Sequence, residues 1–433
     1  MTTVRVITFG CKVNQCDGEG IARELAARGY QVVGRGEAEV YVVNTCTVTG
    51  TADAKARKLI HKIAREEPEA VLVVTGCYAE RDPEGLAAIP GVDAVVGHGR
   101  KGEVVERISQ RRSAGESGGH VRLGRNMPAL QGRVRAFVKV QDGCDHRCAY
   151  CIVPEVRGRP ASRPMAEVVG ELRALVKAGT AEVVLCGIRL GTYGRELGED
   201  SLAALLQEMR PALSSAEGSI GIPRIRLSSL EPMDVDDALI AEMADHPTLC
   251  HHLHLPLQSG DDGVLEAMGR GYTSGQFAEL AAKVREVWPE AGISTDVMVG
   301  FPGETEEQFG TTVQFVRRVG LSRLHVFPFS ARPGTAAARR RDQIPAMVKR
   351  TRAERMLAVG EELAQKSAEA WVGREVKALI EERGRDGLLT GWTEQYIRVT
   401  CEGPEECIGM IVSLKPTEAR GGELVACGVG IAP

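Results

Sequence analysis

Short apolar runs alternate with stretches of helical periodicity through most of the chain. The runs VRVITFG (4–10), VYVVNTC (40–46), VLVVTGC (71–77) and AVV (94–96) have the nearly continuous apolar character of buried strands. Between them, GEGIARELAARG and ADAKARKLIHKIAREE space their apolar residues as helices do. Strands separated by helices predict right-handed βαβ units and a parallel sheet over residues 1–110. Residues 111–132 are rich in Gly, Ser and Arg without a period, which predicts a linker.

Six further strand-like runs follow: VRAFVKVQ (134–141), AEVVLCGI (181–188), RIRLSSL (224–230), HHLHLPL (251–257), GISTDVMVGF (292–301) and SRLHVFPFS (322–330). Helical patterns such as MAEVVGELRALVKAG and EEQFGTTVQFVRRVG separate most of them. Six β/α repeats predict a parallel partial barrel over residues 133–370, closing with a long helix over about 346–370. In the last part, 371–433, EVKALIEE, YIRVTC, GMIVSLKP and ELVACGVGI are strand-like between Gly, Pro and charged turns, the pattern of a small β-barrel. The expected class is therefore α/β: a parallel α/β domain, a partial (β/α)6 barrel and a small C-terminal β-barrel.

Composition narrows the function. A chain of 433 residues calls for two or three domains. Aromatics at 4% leave the core to Val, Leu, Ile and Ala. No apolar run approaches the roughly 18 residues of a membrane span, so no membrane partner is expected. MTTVRVITFG enters a strand directly, without a basic leader or cleavage site, so a cytoplasmic location is expected. A net charge of −4 argues against a generally basic nucleic-acid coat but leaves room for a local basic surface. Twelve cysteines in a reducing compartment point to metal binding or chemistry rather than disulfides.

Three of these cysteines, Cys144, Cys148 and Cys151, stand in GCDHRCAYCIVP (143–154), directly after the first barrel strand. Barrel ligands bind at the carboxyl ends of strands. A structural zinc site normally closes with four ligands, whereas three thiolates on a [4Fe–4S] cluster leave one iron open. That iron can take the amino and carboxylate groups of S-adenosylmethionine, whose reductive cleavage yields a 5′-deoxyadenosyl radical. The alternative is a zinc loop, or cysteines buried for packing. Three more cysteines, Cys11, Cys46 and Cys77, each end a strand of the first part, and strand ends of a parallel sheet share one edge. A second three-thiolate site follows, with small buried residues as the alternative.

The motifs GCKVNQ (10–15), NTCTVT (44–49), TGCYAE (75–80), QDGCDHRCAYCIVPEVRGR (141–159), HLHLPLQSG (252–260) and DVMVGFPGET (296–305) resemble those of the radical-SAM methylthiotransferases, in the family's order and over nearly the whole chain. DGLLTGWTEQYIRV (386–399) is similar to part of the family's TRAM domain, a small RNA-contacting β-barrel. The resemblance implies two [4Fe–4S] clusters. Cys144, Cys148 and Cys151 would hold the radical cluster, and Cys11, Cys46 and Cys77 the auxiliary cluster that carries the sulfur. One S-adenosylmethionine would supply the radical and another the methyl group. RLSSLEP, HVFPFS and ARPGT look most like the threonylcarbamoyladenosine branch. That branch implies adenosine 37 in the anticodon loop of tRNA as substrate, and an electron donor such as flavodoxin or ferredoxin. Isopentenyladenosine-37 of tRNA and a ribosomal-protein aspartate are the family's other substrates. Cys16, Glu155 and Ala161 depart from the family's usual residues and bear on the substrate more than on the chemistry.

Further candidates sit near strand ends. Gln258, Ser259 and Gly260, with Gly187, Glu231 and Asp296, are placed to bind S-adenosylmethionine, or else to form turns and structural hydrogen bonds. His252 and His254 share one strand face and His251 the other, a weak case for metal ligation. Cys186, Cys250, Cys401, Cys407 and Cys427 are expected to pack or to sit exposed. Arg157, Arg159, Arg163 and the basic residues from Arg332 to Arg355, including Arg339, Arg340, Arg341, Lys349, Arg350 and Arg352, could meet phosphates or form a solvated face. Tyr193, Tyr272 and Trp392 could stack on a base. The reading from a different class is a zinc-stabilised, non-catalytic RNA-binding protein.

Overall fold

The computed structural model describes residues 1–113, 134–198, 201–213 and 222–428. Most of the expected linker 111–132 and the end of the last strand-like run lie outside the described residues. The chain forms two compact units, one of residues 1–132, 142–160 and 330–338, the other of residues 133–141, 161–329 and 339–433. Among the described residues no helix is long and apolar enough to cross a membrane.

The first unit is built on a five-stranded parallel sheet in the order Gln31–Val32, Thr3–Thr8, Val40–Thr45, Val71–Gly76, Ala94–Gly97. Alternate residues of the central strands serve opposite faces. Tyr41, Val43, Leu72 and Val74 pack with Ala56, Ile60 and Ile63 of the helix Gly50–Glu66. Val40, Val42 and Val73 pack with Ile21 and Leu25 of the helix Lys12–Ala27 and with Val105 and Ile108 of the helix Val104–Ser113. Coverage on both faces explains why every residue of Val40–Thr45 is buried and why that run contains so little polar patterning. Each fully buried Val, Leu or Ile contributes roughly 1.5–3 kcal/mol.

In the second unit all six expected barrel strands form. Arg135–Lys139, Glu182–Cys186 and Arg224–Leu227 make one three-stranded parallel sheet. His252–His254, Gly292–Val299 and Arg323–Pro328 make another. Parallel bridges between Ile225 and Leu249 and between Ser229 and His254 join the two into a partial barrel. The C-terminal residues form a curled six-stranded sheet, in the order Ile411–Leu414, Val376–Arg383, Leu389–Thr393, Arg398–Cys401, Glu423–Ala426, Glu418–Arg420. It encloses its own core of Val376, Ala378, Ile380, Leu389, Val399, Leu414 and Leu424.

Buried charge fastens this sheet to the barrel. Arg224 donates to the carbonyls of Lys377 at 2.6 Å and Trp392 at 3.3 Å, and Arg226 to those of Glu394 at 3.0 Å and Thr393 at 3.1 Å. Arg226 also pairs with Glu182 at 3.0 Å, and both side chains are within 1% of full burial. Gly292 admits the same hairpin, since a Cβ there would stand 2.1 Å from the Gln395 carbonyl. Glu182, Arg224 and Gly292 are the first residues of their strands. The C-terminal sheet therefore closes the amino end of the barrel, opposite to the end where barrel ligands bind.

Burial alone would raise the Glu182 carboxyl, but Arg226, Arg135 and Arg224 hold it below the ordinary range. Its stabilisation is thus complete above the ordinary carboxylate pKa and is lost as pH falls through the lower native value. Glu182→Gln leaves Arg226 buried without its counter-charge, at an expected cost of about 3–5 kcal/mol. Urea titrations across pH should show that loss near neutrality together with a flatter acid limb. An unchanged midpoint would contradict this account of the fastening.

Candidate active site

The C-terminal edge of the five-stranded sheet gathers three thiols. Register places Thr8 beside Asn44, Thr45 beside Gly76 and Gly76 beside Gly97. The chain then continues from these strands to Cys11, Cys46, Cys77 and His98. Gly10 adopts φ 97°, and a Cβ there would lie 2.6 Å from the Cys46 sulfur, so only glycine lets the first strand turn past the second thiol. Asn14 braces the turn by donating to the Phe9 carbonyl at 2.7 Å and the Thr45 carbonyl at 3.2 Å. Asn44 donates in return to the Asn14 carbonyl at 2.7 Å.

Cys11 is exposed, while Cys46 and Cys77 are buried. Burial pushes the Cys46 thiol up to about 11, and ionisation of Cys11 or Cys77 would raise it further. The Cys77 thiol is raised by burial too, with Arg157 and then Lys101 working against the shift. Three converging sulfurs form a soft donor set, suited to iron–sulfur or zinc rather than to calcium or magnesium. Two of them are buried, which disfavours thiolates unless a cation compensates. The residues present therefore suit a metal cluster held by Cys11, Cys46 and Cys77.

The second set of thiols belongs to the same unit. Cys144, Cys148 and Cys151 are half-buried. His146 links two of them: its backbone N–H donates to the Cys144 sulfur at 3.4 Å, and its Nδ1 lies 3.4 Å from the Cys148 sulfur. The Cys151 N–H donates to the Cys148 carbonyl at 3.0 Å, which turns the chain into the short helix Val153–Arg157. Ile152 and Val156 pack against Cys77. The loop after Cys151 thus lies directly on one of the sheet-edge thiols.

A polar network that the sequence reading had not assembled runs beneath Cys77. Arg157 is buried rather than facing phosphate. It donates to Cys77 Sγ at 3.2 Å, Asp142 at 2.8 Å, Asn14 at 3.1 Å and Asp17 at 3.3 Å. Lys101 donates to Asp17 at 2.6 Å and Asn14 at 3.2 Å. Ligand atoms of Asp17, His98 and Asp142 come within 4.8 Å of one another. Lys101 and Arg157 already supply the balancing charge, so these carboxylates form an ion-pair network. Cys16 lies on the buried face of the helix Lys12–Ala27, beside Asn14 and Asp17.

In the second unit, Gln258 is held in left-handed backbone at φ 67°. Its N–H donates to the Asp296 carbonyl at 2.8 Å, and its own carbonyl accepts from Met298 at 2.9 Å. Its side-chain Oε1 is buried without a hydrogen-bond partner, a cost that a polar ligand would relieve. That atom suits a bound polar cofactor. Ser259 is fully buried, with its hydroxyl 3.1 Å from that of Thr312. At Gly260 a Cβ would press on Phe315 at 2.7 Å. Gly187 donates to Ser228 Oγ at 3.4 Å and passes Leu190 closely. Glu231 pairs with Arg270, and Asp296 lies 3.3 Å from His254 Nε2.

Several other candidates are engaged in the fold. His252 and His254 share the Ser294 hydroxyl, and His251 stacks on Trp288. Tyr193 is buried and donates to the Arg163 carbonyl, and Tyr272 to those of Pro256 and Leu257. Trp392 stacks on Tyr396 at 4.5 Å. Arg332 is buried against Asp53, Arg352 is buried against Glu304, and Arg163 pairs with Glu171. Arg340 and Arg350 make exposed pairs with Asp342 and Glu354. Cys186, Cys250, Cys401 and Cys407 are buried, and Cys427 is exposed.

Comparison with known proteins places this geometry in context. Residues 138–316 match the Radical SAM superfamily, and residues 3–97 match the Uncharacterized protein family UPF0004. The chain is 38% identical to the threonylcarbamoyladenosine tRNA methylthiotransferase MtaB of Bacillus subtilis, over 97% of this chain and 94% of that protein. It is 37% identical to the protein of the same name in Thermotoga maritima, over 92% and 91%. It is also 37% identical to the tRNA-2-methylthio-N(6)-dimethylallyladenosine synthase of Syntrophotalea carbinolica, over 95% and 96%. Among solved structures, the radical S-adenosylmethionine methyltransferase TsrM of Kitasatospora setae shares the fold. Its TM-score is 0.57 at 18% identity, covering 78% of this chain and 77% of that one.

The placement of the sheet-edge thiols sets their accessibility. In metal-stripped protein, iodoacetamide is expected to modify Cys11 at least about tenfold faster than Cys46 or Cys77, because reactivity needs an exposed thiolate. Peptide mass mapping over time reads the three rates. Equal rates would contradict the burial described for Cys46 and Cys77.

Proposed function

Because this chain belongs to the radical-SAM methylthiotransferase family, we propose that it converts N6-threonylcarbamoyladenosine at position 37 of tRNA to its 2-methylthio derivative. The observation that carries this reading is the pairing, within one compact unit, of two three-cysteine sets. Its near-full-length similarity to enzymes named for that nucleoside supports the choice of substrate. Cys144, Cys148 and Cys151 would hold one [4Fe–4S] cluster, and Cys11, Cys46 and Cys77 the other. When bound, these clusters and S-adenosylmethionine supply a radical able to take hydrogen from an unactivated C–H bond, together with the sulfur and methyl to be inserted.

The chain's own residues supply binding and exclusion. Burial of Cys46 and Cys77 shields two of the three sulfurs from water, while Cys11 stands at the exposed side. The unpartnered Oε1 of Gln258 offers an acceptor to S-adenosylmethionine at a barrel strand end, with Gly187, Glu231, Ser259, Gly260 and Asp296 around the neighbouring strand ends. The curled C-terminal sheet would serve as the TRAM-like contact for tRNA. The reaction needs electrons from a small donor protein of the flavodoxin or ferredoxin class, and it belongs in the cytoplasm with its tRNA.

Two variants separate the roles of the cysteine sets. Cys148→Ala is expected to abolish cleavage of S-adenosylmethionine to 5′-deoxyadenosine. Cys46→Ala is expected to retain cleavage and to make no methylthio product. Chromatography of the nucleoside products checks both, and methylthio product from Cys46→Ala would contradict the assignment. Iron and acid-labile sulfide in the reconstituted protein exclude the zinc-stabilised RNA-binding alternative, and zinc alone would support it.

A further inference from the structure

We propose that Arg157 is a positioning residue for the sulfur site, donating an N–H···S hydrogen bond to Cys77 that raises the reduction potential of the cluster held there. This inference rests on the reading of Cys11, Cys46 and Cys77 as cluster ligands. Three features of the structure carry it.

First, the guanidinium is aimed. Nη1 is fixed on Asp142 at 2.8 Å, and Nη2 on Asn14 at 3.1 Å and Asp17 at 3.3 Å. These bonds leave Nε to the Cys77 sulfur at 3.2 Å. A planar fork held on two sides points its third nitrogen with little freedom. Second, the site is dry. The Arg157 side chain is 1% exposed and Cys77 is 4% exposed. A charge-assisted hydrogen bond is stronger in such surroundings than in water.

Third, charge neutralisation alone does not explain Arg157's contact with sulfur. Lys101 binds Asp17 at 2.6 Å, and the Asp142 bond uses only Nη1 of Arg157, so Nε is left over for the thiol. Hydrogen bonds to sulfur and local charge are what set iron–sulfur potentials. A donor and a positive charge favour the reduced, more negative cluster. Arg157 lies six positions after Cys151, so the residue tuning one cysteine set is delivered by the loop that carries the other.

The test uses the full-length chain with Cys144, Cys148 and Cys151 all replaced by Ala, so that only the sheet-edge site can hold a cluster. Iron and sulfide are measured first. Their absence overturns the ligand reading beneath the proposal, before any change at Arg157. With the cluster present, EPR-monitored titration compares Arg157 with Arg157→Gln and Arg157→Lys. The Gln variant should lower the reduced fraction at fixed poise by at least about tenfold, which for a one-electron couple is about 59 mV. Lys, which keeps the charge, should recover part of the loss. Equal potentials overturn the proposal. Should the Gln variant not retain its cluster, the chain with intact Arg157 and 15N-labelled arginine decides by pulsed EPR. A 15N coupling to the reduced cluster supports the bond, and its absence overturns it.

Discussion

A guanidinium can be buried only when its donors are answered, because an unpaired charge away from water costs several kcal/mol. Arg157, carried by the helix after Cys151, meets that condition with partners drawn from three separate stretches of chain: Asn14 and Asp17, Cys77, and Asp142. The loop with Cys144, Cys148 and Cys151 is thereby tied to the sheet edge that carries Cys11, Cys46 and Cys77. Loss of Asp142 would leave the guanidinium short of a counter-charge in a dry place. The same side chain therefore ties the first unit together and touches one of its sheet-edge thiols.

The second unit applies the same physics to another end. Arg224 and Arg226, the latter paired with Glu182, donate to backbone carbonyls of the C-terminal sheet at the amino end of the barrel. Ionic contacts are directional where apolar packing is not, so they fix the orientation of a small curled sheet on a larger domain. The Gln258 acceptor lies at the end of a barrel strand on the other side. The fastening and the unpartnered Gln258 acceptor thus occupy opposite ends of the strands.

Much of this was legible in the sequence because burial on both faces makes a strand continuously apolar. Val40–Thr45, Val71–Gly76, Glu182–Cys186 and Gly292–Val299 announced themselves in that way, while Arg323–Pro328 and the other barrel strands were legible from their place in the β/α repeat. Gln31–Val32 and Glu418–Arg420 did not, being two and three residues long. Leu389–Thr393 was hidden by Gly391, which lets the strand pass the Leu379 carbonyl, 2.2 Å from where a Cβ would be. The cysteine sets were visible from spacing. The role of Arg157 was not, because a basic residue in a loop looks solvated until carboxylates far away in sequence are brought to it. Arg332 and Arg352 were obscured for the same reason, each being buried on an acid from a distant segment. Tyr193 and Tyr272 look like stacking groups until their hydroxyls are seen to satisfy buried carbonyls.

The central claim is that the two thiol sets serve one reaction on adenosine 37 of tRNA. The most direct measurement is mass spectrometry of modified nucleosides, in tRNA from a strain lacking this gene and from the same strain with it restored. The account predicts that 2-methylthio-N6-threonylcarbamoyladenosine disappears with the gene and returns with it, leaving the unthiolated nucleoside in its place meanwhile. An unchanged level of that nucleoside, with the methylthio group lost instead from the isopentenyl derivative or from no nucleoside at all, would contradict it.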